Sequence, residues 1–443
     1  MTTSLGVRFR ALVSSGYTKP SSMRQLWRPI VETTGANFFT LGASAITVFI
    51  TARYLGPDGR GILAAASSWV TLFSTLGTFS IGSVIIHHAV EQQGVEWLPD
   101  VAGTLLLLVC ATAVFGWALA AFMYIVSGGA AFSHLSPGVL ALAFMSLPIL
   151  IWNEDSRGVL YALGQLRTWN VGASVGSLVT GVGVFALVAV WRGGVAGALI
   201  ATALANVAIA GVASWHIFGR ARSLRPNWPT ARTLFGRGLQ LHLNTIGAFL
   251  FTQTSVLILN QYRPASEVGF YQLAIQLLNF TLVFATSLGA VSYGIVAEHG
   301  PDSGWPLQRR LLGLSVLLAA VMAVAGALFA PFGIRLIAGI AFLPSVELFR
   351  VVVFALVGAT FSSVLASQWI ARGLFWQTAV ITFGVGLLSL AFDLLLIPMF
   401  GMRGATVSTL VTYGLSVIAN GALAVWVERR WRRQRAGLVP DRP

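Results

Sequence analysis

Apolar residues fill this chain in stretches of twenty or more, separated by short polar or glycine-containing joints, and the strict alternation of a half-buried strand is missing. A bilayer core about 30 Å thick takes roughly 20 apolar residues of helix per crossing. On that measure the pattern predicts twelve crossings. Six lie at about 30–53, 61–86, 101–126, 138–163, 169–191 and 195–217; six more lie at about 239–260, 269–297, 310–332, 347–370, 377–399 and 404–427. The expected fold is an all-α membrane protein with twelve transmembrane helices.

The two sets of six are related. Tyr54-Leu-Gly-Pro-Asp-Gly-Arg-Gly61 and Tyr262-Arg-Pro-Ala-Ser-Glu-Val-Gly269 each join one apolar run to the next, with tyrosine and glycine at matching places. Gly194-Val-Ala-Gly197-Ala198 with Thr202 likewise matches Gly401-Met-Arg-Gly404-Ala405 with Thr409, and Ala162-Leu-Gly164 matches Ala371-Arg-Gly373. A nearly constant offset at three separated places predicts an internal duplication. Six crossings are an even number, so the repeats run parallel, as two lobes around a central cavity. The expected division is a cytoplasmic tail over 1–29, one six-helix lobe over 30–217, a basic linker over 218–238, a second lobe over 239–427 and a basic tail over 428–443.

Composition strengthens the membrane reading, with 56% hydrophobic and only 9% charged residues. The net charge of +14 then has to be explained without a soluble basic face. With both termini inside, 21 of the 28 Lys+Arg fall on the tails, the inner loops and Arg157, as the positive-inside rule expects. Flanks such as Arg220, Arg222, Arg225, Arg232 and Arg429 to Arg433 anchor helices against anionic lipid heads, and nucleic acid is not an expected partner. The other seven, Arg53, Arg60, Arg192, Arg263, Arg335, Arg350 and Arg403, are placed outside or near the outer ends. The single cysteine, Cys110, excludes an internal disulfide and a cysteine-rich metal site.

Signature sequences for nucleotide, dinucleotide, zinc-protease or serine-hydrolase chemistry are absent, and the connections are short, so neither a cofactor nor an enzymatic activity is expected. His87 and His88 border the second crossing and read as interfacial polar residues. His242 either titrates near neutrality or caps the inner end of the seventh.

Polar positions within the crossings are more informative. Thr33, Asn37, Thr40, Ser44, Thr47 and Thr51 recur at spacings of four and three and form one stripe along the first helix. The offset carries Asn37, Thr40, Ser44 and Thr47 onto Thr245, Ala248, Thr252 and Ser255. Ser67, Thr71, Ser74 and Thr78 form a similar stripe on the second. Small hydroxyl residues also pack membrane helices together. Repetition across three helices favours a hydrated cavity bordered by Asn37, Thr40, Ser44, Thr47, Thr71, Ser74, Thr252 and Ser255.

Ionisable residues inside a membrane are expensive, and here they concentrate in Asn153-Glu154-Asp155-Ser156-Arg157 of the fourth crossing and at Asp393 of the eleventh. Glu154 and Arg157 are spaced to pair, while Asp155 points elsewhere. The cluster is either a solvated helix end or a functional mouth, with Arg157 on an anionic head group and Glu154 or Asp155 as a coupling or gating group. Asp393 either binds an ion or neutralises an arginine such as Arg350.

The motifs Ala52-Arg-Tyr-Leu-Gly-Pro-Asp-Gly-Arg-Gly-Ile-Leu-Ala64, Val268-Gly-Phe-Tyr-Gln-Leu-Ala274 and Gly401-Met-Arg-Gly-Ala-Thr406 resemble those of polysaccharide-biosynthesis flippases, the Wzx-type branch of the MOP exporter superfamily. The resemblance implies movement of a polyprenyl-pyrophosphate-linked oligosaccharide from the cytoplasmic to the outer leaflet of a bacterial inner membrane, by alternating access. It further implies membrane lipids as surroundings, and a polysaccharide polymerase and glycosyltransferases as partners. An ion-coupled multidrug or metabolite antiporter of the same superfamily is the alternative.

Overall fold

The computed structural model describes the backbone of residues 23–435 apart from residue 93, and side chains between residues 35 and 429. The tail expected over 1–29 lies outside the described residues as far as residue 22, as does the segment 436–443. Among the described residues the regular structure is entirely helical. In lipid this is forced, because a helix satisfies its backbone N–H and C=O groups internally.

The first half contains α1 (Met23–Thr78), α2 (Ile81–Gln92), α3 (Leu98–Val126), α4 (Pro137–Phe144), α5 (Leu147–Ala162), α6 (Leu166–Val184) and α7 (Gly194–Ala221). The second half contains α8 (Trp228–Tyr262), α9 (Ala265–His299), α10 (Trp305–Ile337), α11 (Pro344–Val352), α12 (Ala355–Ala371), α13 (Phe375–Phe400) and α14 (Met402–Arg435). Among the described residues, eleven helical stretches are long and apolar enough to cross a membrane, and one of them, Gly35–Gln92, holds two crossings. Its turn is at Gly56, whose φ of 65° and ψ of −176° interrupt the helix. Glycine tolerates that geometry, and Pro57 then starts the returning leg, where its missing N–H has no helical partner to lose. Twelve crossings result. Outward-facing Trp191, Trp215 and Phe329, 70–81% exposed, suit contact with lipid tails.

Between the halves, α7 continues through Ala221 and α8 begins at Trp228, leaving 222–227 as the non-helical part of the basic connection expected over 218–238. This strand of chain lies on the start of α3: Arg225 N–H donates to the Pro99 carbonyl at 3.1 Å, and Asn227 Nδ2 to Asp100 at 3.1 Å. The basic end of the bundle carries this connection; the distal end carries the turn at Gly56 and its repeat counterpart at Arg263.

Apolar packing forms two main cores. One joins Trp69, Phe73, Leu105, Phe132, Phe144 and Leu147 in the first half. The other joins Leu273, Leu278, Phe342, Phe349 and Leu356 in the second, and reaches Val48, Ala52 and Ala64 of α1.

The halves meet at both ends. At the distal end the returning leg of α1 crosses the first turns of α9: a methyl group on Gly61 would sit 1.7 Å from the Ala265 carbonyl oxygen, and one on Gly269 would sit 2.0 Å from that of Pro57. The repeat offset carries Gly61 onto Gly269 and Pro57 onto Ala265, so the contact maps onto itself. At the basic end, helix α1 breaks at Phe79 and Ser80, with φ of 45° and 56°. These non-glycine residues in the left-handed region cost of order 1–3 kcal/mol each. The surroundings hold them: Ser80 Oγ shares hydrogen bonds with Thr245 Oγ1 (2.7 Å) and His242 Nδ1 (3.2 Å) of α8. The Phe79 ring lies 4.7 Å from Phe235, and Arg237 pairs with Glu91 at 2.7 Å.

Just past the break, α2 lies backbone-to-backbone on α5, where a methyl group on Gly158 would be 2.1 Å from the Gly82 carbonyl oxygen. Neither backbone can retreat without breaking its own helix. Gly158→Val is therefore expected to lower the melting temperature in detergent, by the few kcal/mol typical of overpacking or more, and to reduce membrane levels. Gly181→Ala, at a helical position with open space around it, serves as the control and should leave both unchanged.

Candidate functional site

The hydroxyl stripes of α1 come together because the hairpin at Gly56 lays its two legs side by side. Thr47 and Thr51 from one leg and Ser67, Ser68 and Thr71 from the other line a cavity of about 320 Å³ between the halves. Thr202 of α7, Gln253 of α8, and Gln272 and Gln276 of α9 complete its polar lining. Thr47, Thr51 and Thr71 donate their hydroxyl hydrogens to carbonyls four residues earlier, at 2.7–3.0 Å, so the wall is polar without stranded donors. Gln253 and Gln272 make no hydrogen bond among the described residues, so their amides offer both a donor and an acceptor to a ligand.

Arg60, expected outside or near the outer end of its crossing, lies just past the Gly56 turn and is buried in this cavity. It is 4% exposed. The fold at Gly56 brings the first leg alongside the first turn of the second, so the guanidinium reaches back to the Val48 carbonyl (3.1 Å) and Thr51 Oγ1 (2.9 Å). Across the interface its Nη2 donates to Gln276 Oε1 of α9. The face of the Phe342 ring lies 6.0 Å away. The cavity lining contains no acidic residue, and Arg60 forms no ion pair among the described residues. A guanidinium has five N–H donors, and protein groups take three here. A charge taken out of water without a counter-ion costs several kcal/mol, so the site is suited to an anionic group arriving from outside.

Other residues of the expected cavity are placed differently. Asn37 is exposed, Thr40 and Ser44 are half-buried and outside the lining, Ser74 is buried, and Thr252 is exposed. The side chain of Thr33 lies outside the described residues. Ser255 does not face the cavity: successive helical residues turn by about 100°, so Gln253 looks inward while Thr254 and Ser255 look toward α13. There their hydroxyls donate to Asp393, each at 2.9 Å. Asp393 is fully buried. Its suggested pairing with Arg350 is not formed; Arg350 Nε donates to the Ala327 carbonyl at 3.2 Å. Tyr271 and Thr409 share a neighbouring hydrogen bond of 2.8 Å.

The fourth-crossing cluster borders a second space of about 310 Å³ toward the basic end, lined by Thr78, Ser80, Ser83, Glu154, Asp155, Arg157, Tyr161 and Thr245. Arg157 donates to Glu154 at 2.6 Å and lies over the Trp169 ring at 5.7 Å. Both members of that pair are about half exposed, so it is a weak, solvent-screened one. Asp155 is buried and accepts from the Gly82 N–H at 3.2 Å, which caps the start of α2 and fixes the broken helix. Asn153 turns the other way and donates to the Asn206 carbonyl at 3.2 Å. Of the expected residues, Thr47 and Thr71 thus share the Arg60 cavity, Glu154, Asp155 and Arg157 share the second space, and Asp393 with Ser255 forms a separate buried cluster.

Arg60 and the three glutamines were not expected in the site. One signal for Arg60 was present: between the matching tyrosine and glycine of the repeated joint, Arg60 stands opposite the apolar Val268. Cysteine at Thr47 or Thr71, in a Cys110→Ala background, is expected to react with a small polar thiol reagent from water. Cysteine at Ser255 is expected to stay protected. Protection at all three would remove the cavity.

The arrangement can next be set beside known proteins. Residues 26–298, more than half of the chain, match the model of the family described as polysaccharide biosynthesis protein. No curated protein matches in sequence. Among solved structures, the lipid II flippase MurJ in an inward closed conformation is similar over 88% of this chain and 86% of its own, with 13% identity and a TM-score of 0.72. An inward-facing multidrug resistance MATE family transporter of the MOP superfamily covers 90% of this chain and 99% of its own, with 16% identity and a TM-score of 0.65. A MOP superfamily transporter from Pyrococcus furiosus covers 92% and 94%, with 14% identity and a TM-score of 0.56. At these identities the structural likeness establishes the fold alone, one shared with MurJ and with the MATE family transporter. Taken with the family match, it shows that this multi-pass membrane protein belongs to the polysaccharide biosynthesis protein family.

Proposed function

We propose that the protein is a flippase that carries a polyprenyl-pyrophosphate-linked oligosaccharide from the cytoplasmic to the outer leaflet of a bacterial inner membrane, by alternating access between its two six-helix halves. The basic end with both termini then faces the cytoplasm, in keeping with the positive-inside rule. The observation that carries the reading is Arg60, a buried cation without a counter-ion, in a carboxylate-free cavity of hydroxyls and amides between the halves. A pyrophosphate supplies the missing negative charge and suits the planar guanidinium fork. Sugar hydroxyls both donate and accept hydrogen bonds, as do the amides of Gln253 and Gln272. The lipid tail stays in the bilayer. Arg157 at the second space is a further contact for the anionic head on the cytoplasmic side.

The superfamily alternative, export of cationic drugs, finds less support, since such a cargo is served by carboxylates and the lining offers none. Asp393 favours a separate role, coupling to a cation or proton, because its buried carboxyl is met by hydroxyls and not by an arginine. In this reading no chemical step is catalysed, and a polymerase and glycosyltransferases act before and after it.

Deletion of the gene is expected to leave a lipid-linked saccharide on the inner leaflet. Arg60→Gln, at unchanged membrane level, should reduce its translocation by about 10- to 100-fold, the value of one charge-assisted contact of about 1.5–3 kcal/mol. Arg60→Lys should restore part of it. Full translocation by Arg60→Gln would sink the reading. Asp393→Asn should change the dependence of rate on an imposed pH or sodium gradient, and an unchanged dependence would leave Asp393 a structural role.

A further inference from the structure

Arg60 does more than line the cavity. Its guanidinium joins the two halves: Val48 and Thr51 belong to the first, and Gln276, on α9, belongs to the second. One residue further on, Gly61 makes the symmetric backbone contact with α9 that closes the distal end. The link and the closure are therefore covalent neighbours, and movement of one displaces the other. Of the three protein acceptors on Arg60, two lie on its own half and only Gln276 crosses the interface. Gln276 is also a neutral amide. A phosphate offers the guanidinium an opposite charge and a bidentate fit that a single amide oxygen lacks. Gln276 itself lines the cavity, so an anion seated there meets the guanidinium on the side where the amide now lies.

We propose that the Arg60–Gln276 hydrogen bond is a bolt on the distal closure, and that the anionic group of the cargo draws it by taking the place of Gln276 on Arg60. This rests on the reading of the cavity as the cargo site and adds the means by which an occupied cavity opens differently from an empty one. A ligand shifts an equilibrium only by its differential affinity for the two states, and exchange of an inter-half bond for a bond to cargo supplies such a difference. Gln276 is a positioning residue in this scheme, acting through Arg60.

Two substitutions at Gln276 push in opposite directions. Gln276→Leu removes the acceptor and frees Arg60 from α9. Gln276→Glu gives Arg60 the counter-ion it lacks, strengthens the link, and makes cargo redundant as a partner. The distal end is followed by distance, without transport, in Cys110→Ala protein reconstituted in lipid nanodiscs. Spin labels are attached at Trp191→Cys in the first half and Met399→Cys in the second, both at least 70% exposed and near the distal end. Inorganic pyrophosphate serves as the probe.

In the parent protein, pyrophosphate is expected to raise the ratio of long to short distances by about tenfold, a shift readable against a two-state equilibrium. Gln276→Leu should show the raised ratio without pyrophosphate. Gln276→Glu should keep the short distance with and without it, and Arg60→Gln should not respond to it. The bolt is overturned if Gln276→Leu keeps the parent distribution, or if Gln276→Glu still lengthens with pyrophosphate. The displacement step is overturned if pyrophosphate leaves the parent protein unmoved, or if the response survives in Arg60→Gln. Failure to translocate a lipid-linked saccharide while these distances behave as expected would remove the flippase reading and leave the bolt standing.

Discussion

Two helices bring their backbones into contact only where no side chain intervenes, and the Gly61–Gly269 crossing is the contact on which the arrangement of the halves depends. It fixes how closely the returning leg of α1 approaches α9. That distance sets how far Arg60 has to reach to find Gln276, and where the cavity ends. With larger residues at either position the two legs would stand further apart, the guanidinium would fall short of α9, and the hydroxyl wall would open to the distal surface. Helix packing in lipid has no hydrophobic driving force between helices, so close approach through small residues is the means available to hold such an interface.

The count of crossings and their duplication were legible because lipid leaves little choice: each crossing needs a full apolar run, and each turn needs a break, as at Gly56-Pro57. The hydroxyl stripe of the first two crossings was legible for the same reason, since polar residues at spacings of three and four lie on one face. What could not be read was rotational phase and reach. Ser255 is two residues from Gln253 and faces another helix altogether. Arg60 lies four residues beyond a turn, which in linear order places it at the surface. The fold of the hairpin instead points its long side chain between the legs, where Val48 and Thr51 receive it. Asp155, similarly, had no evident local partner because its partner is the N–H of Gly82, more than seventy residues earlier.

Besides the capping Asp155, the described residues include a buried cation in the first half, Arg60, and a buried acid in the second, Asp393, each without a counter-ion, and the two do not meet. Asp393 is surrounded by hydroxyls of α8, whereas Arg60 sits among amides and hydroxyls at the interface. A direct pair between them would have neutralised both and left neither available to a ligand or an ion. Separation costs stability and retains chemistry at two places.

The repeat makes a final point about Arg60 and Val268. A cavity on an exact two-fold axis would hold an elongated cargo equally well in two orientations, related by exchange of the halves. Here the position equivalent to Arg60 is a buried valine, so the cation of the cavity has no counterpart in the second half. On the flippase reading, a cargo with one anionic end has one seat for that end. Polarity of loading, which a symmetric framework could not supply, follows from a cavity cation present on one side of the repeat and replaced by valine on the other.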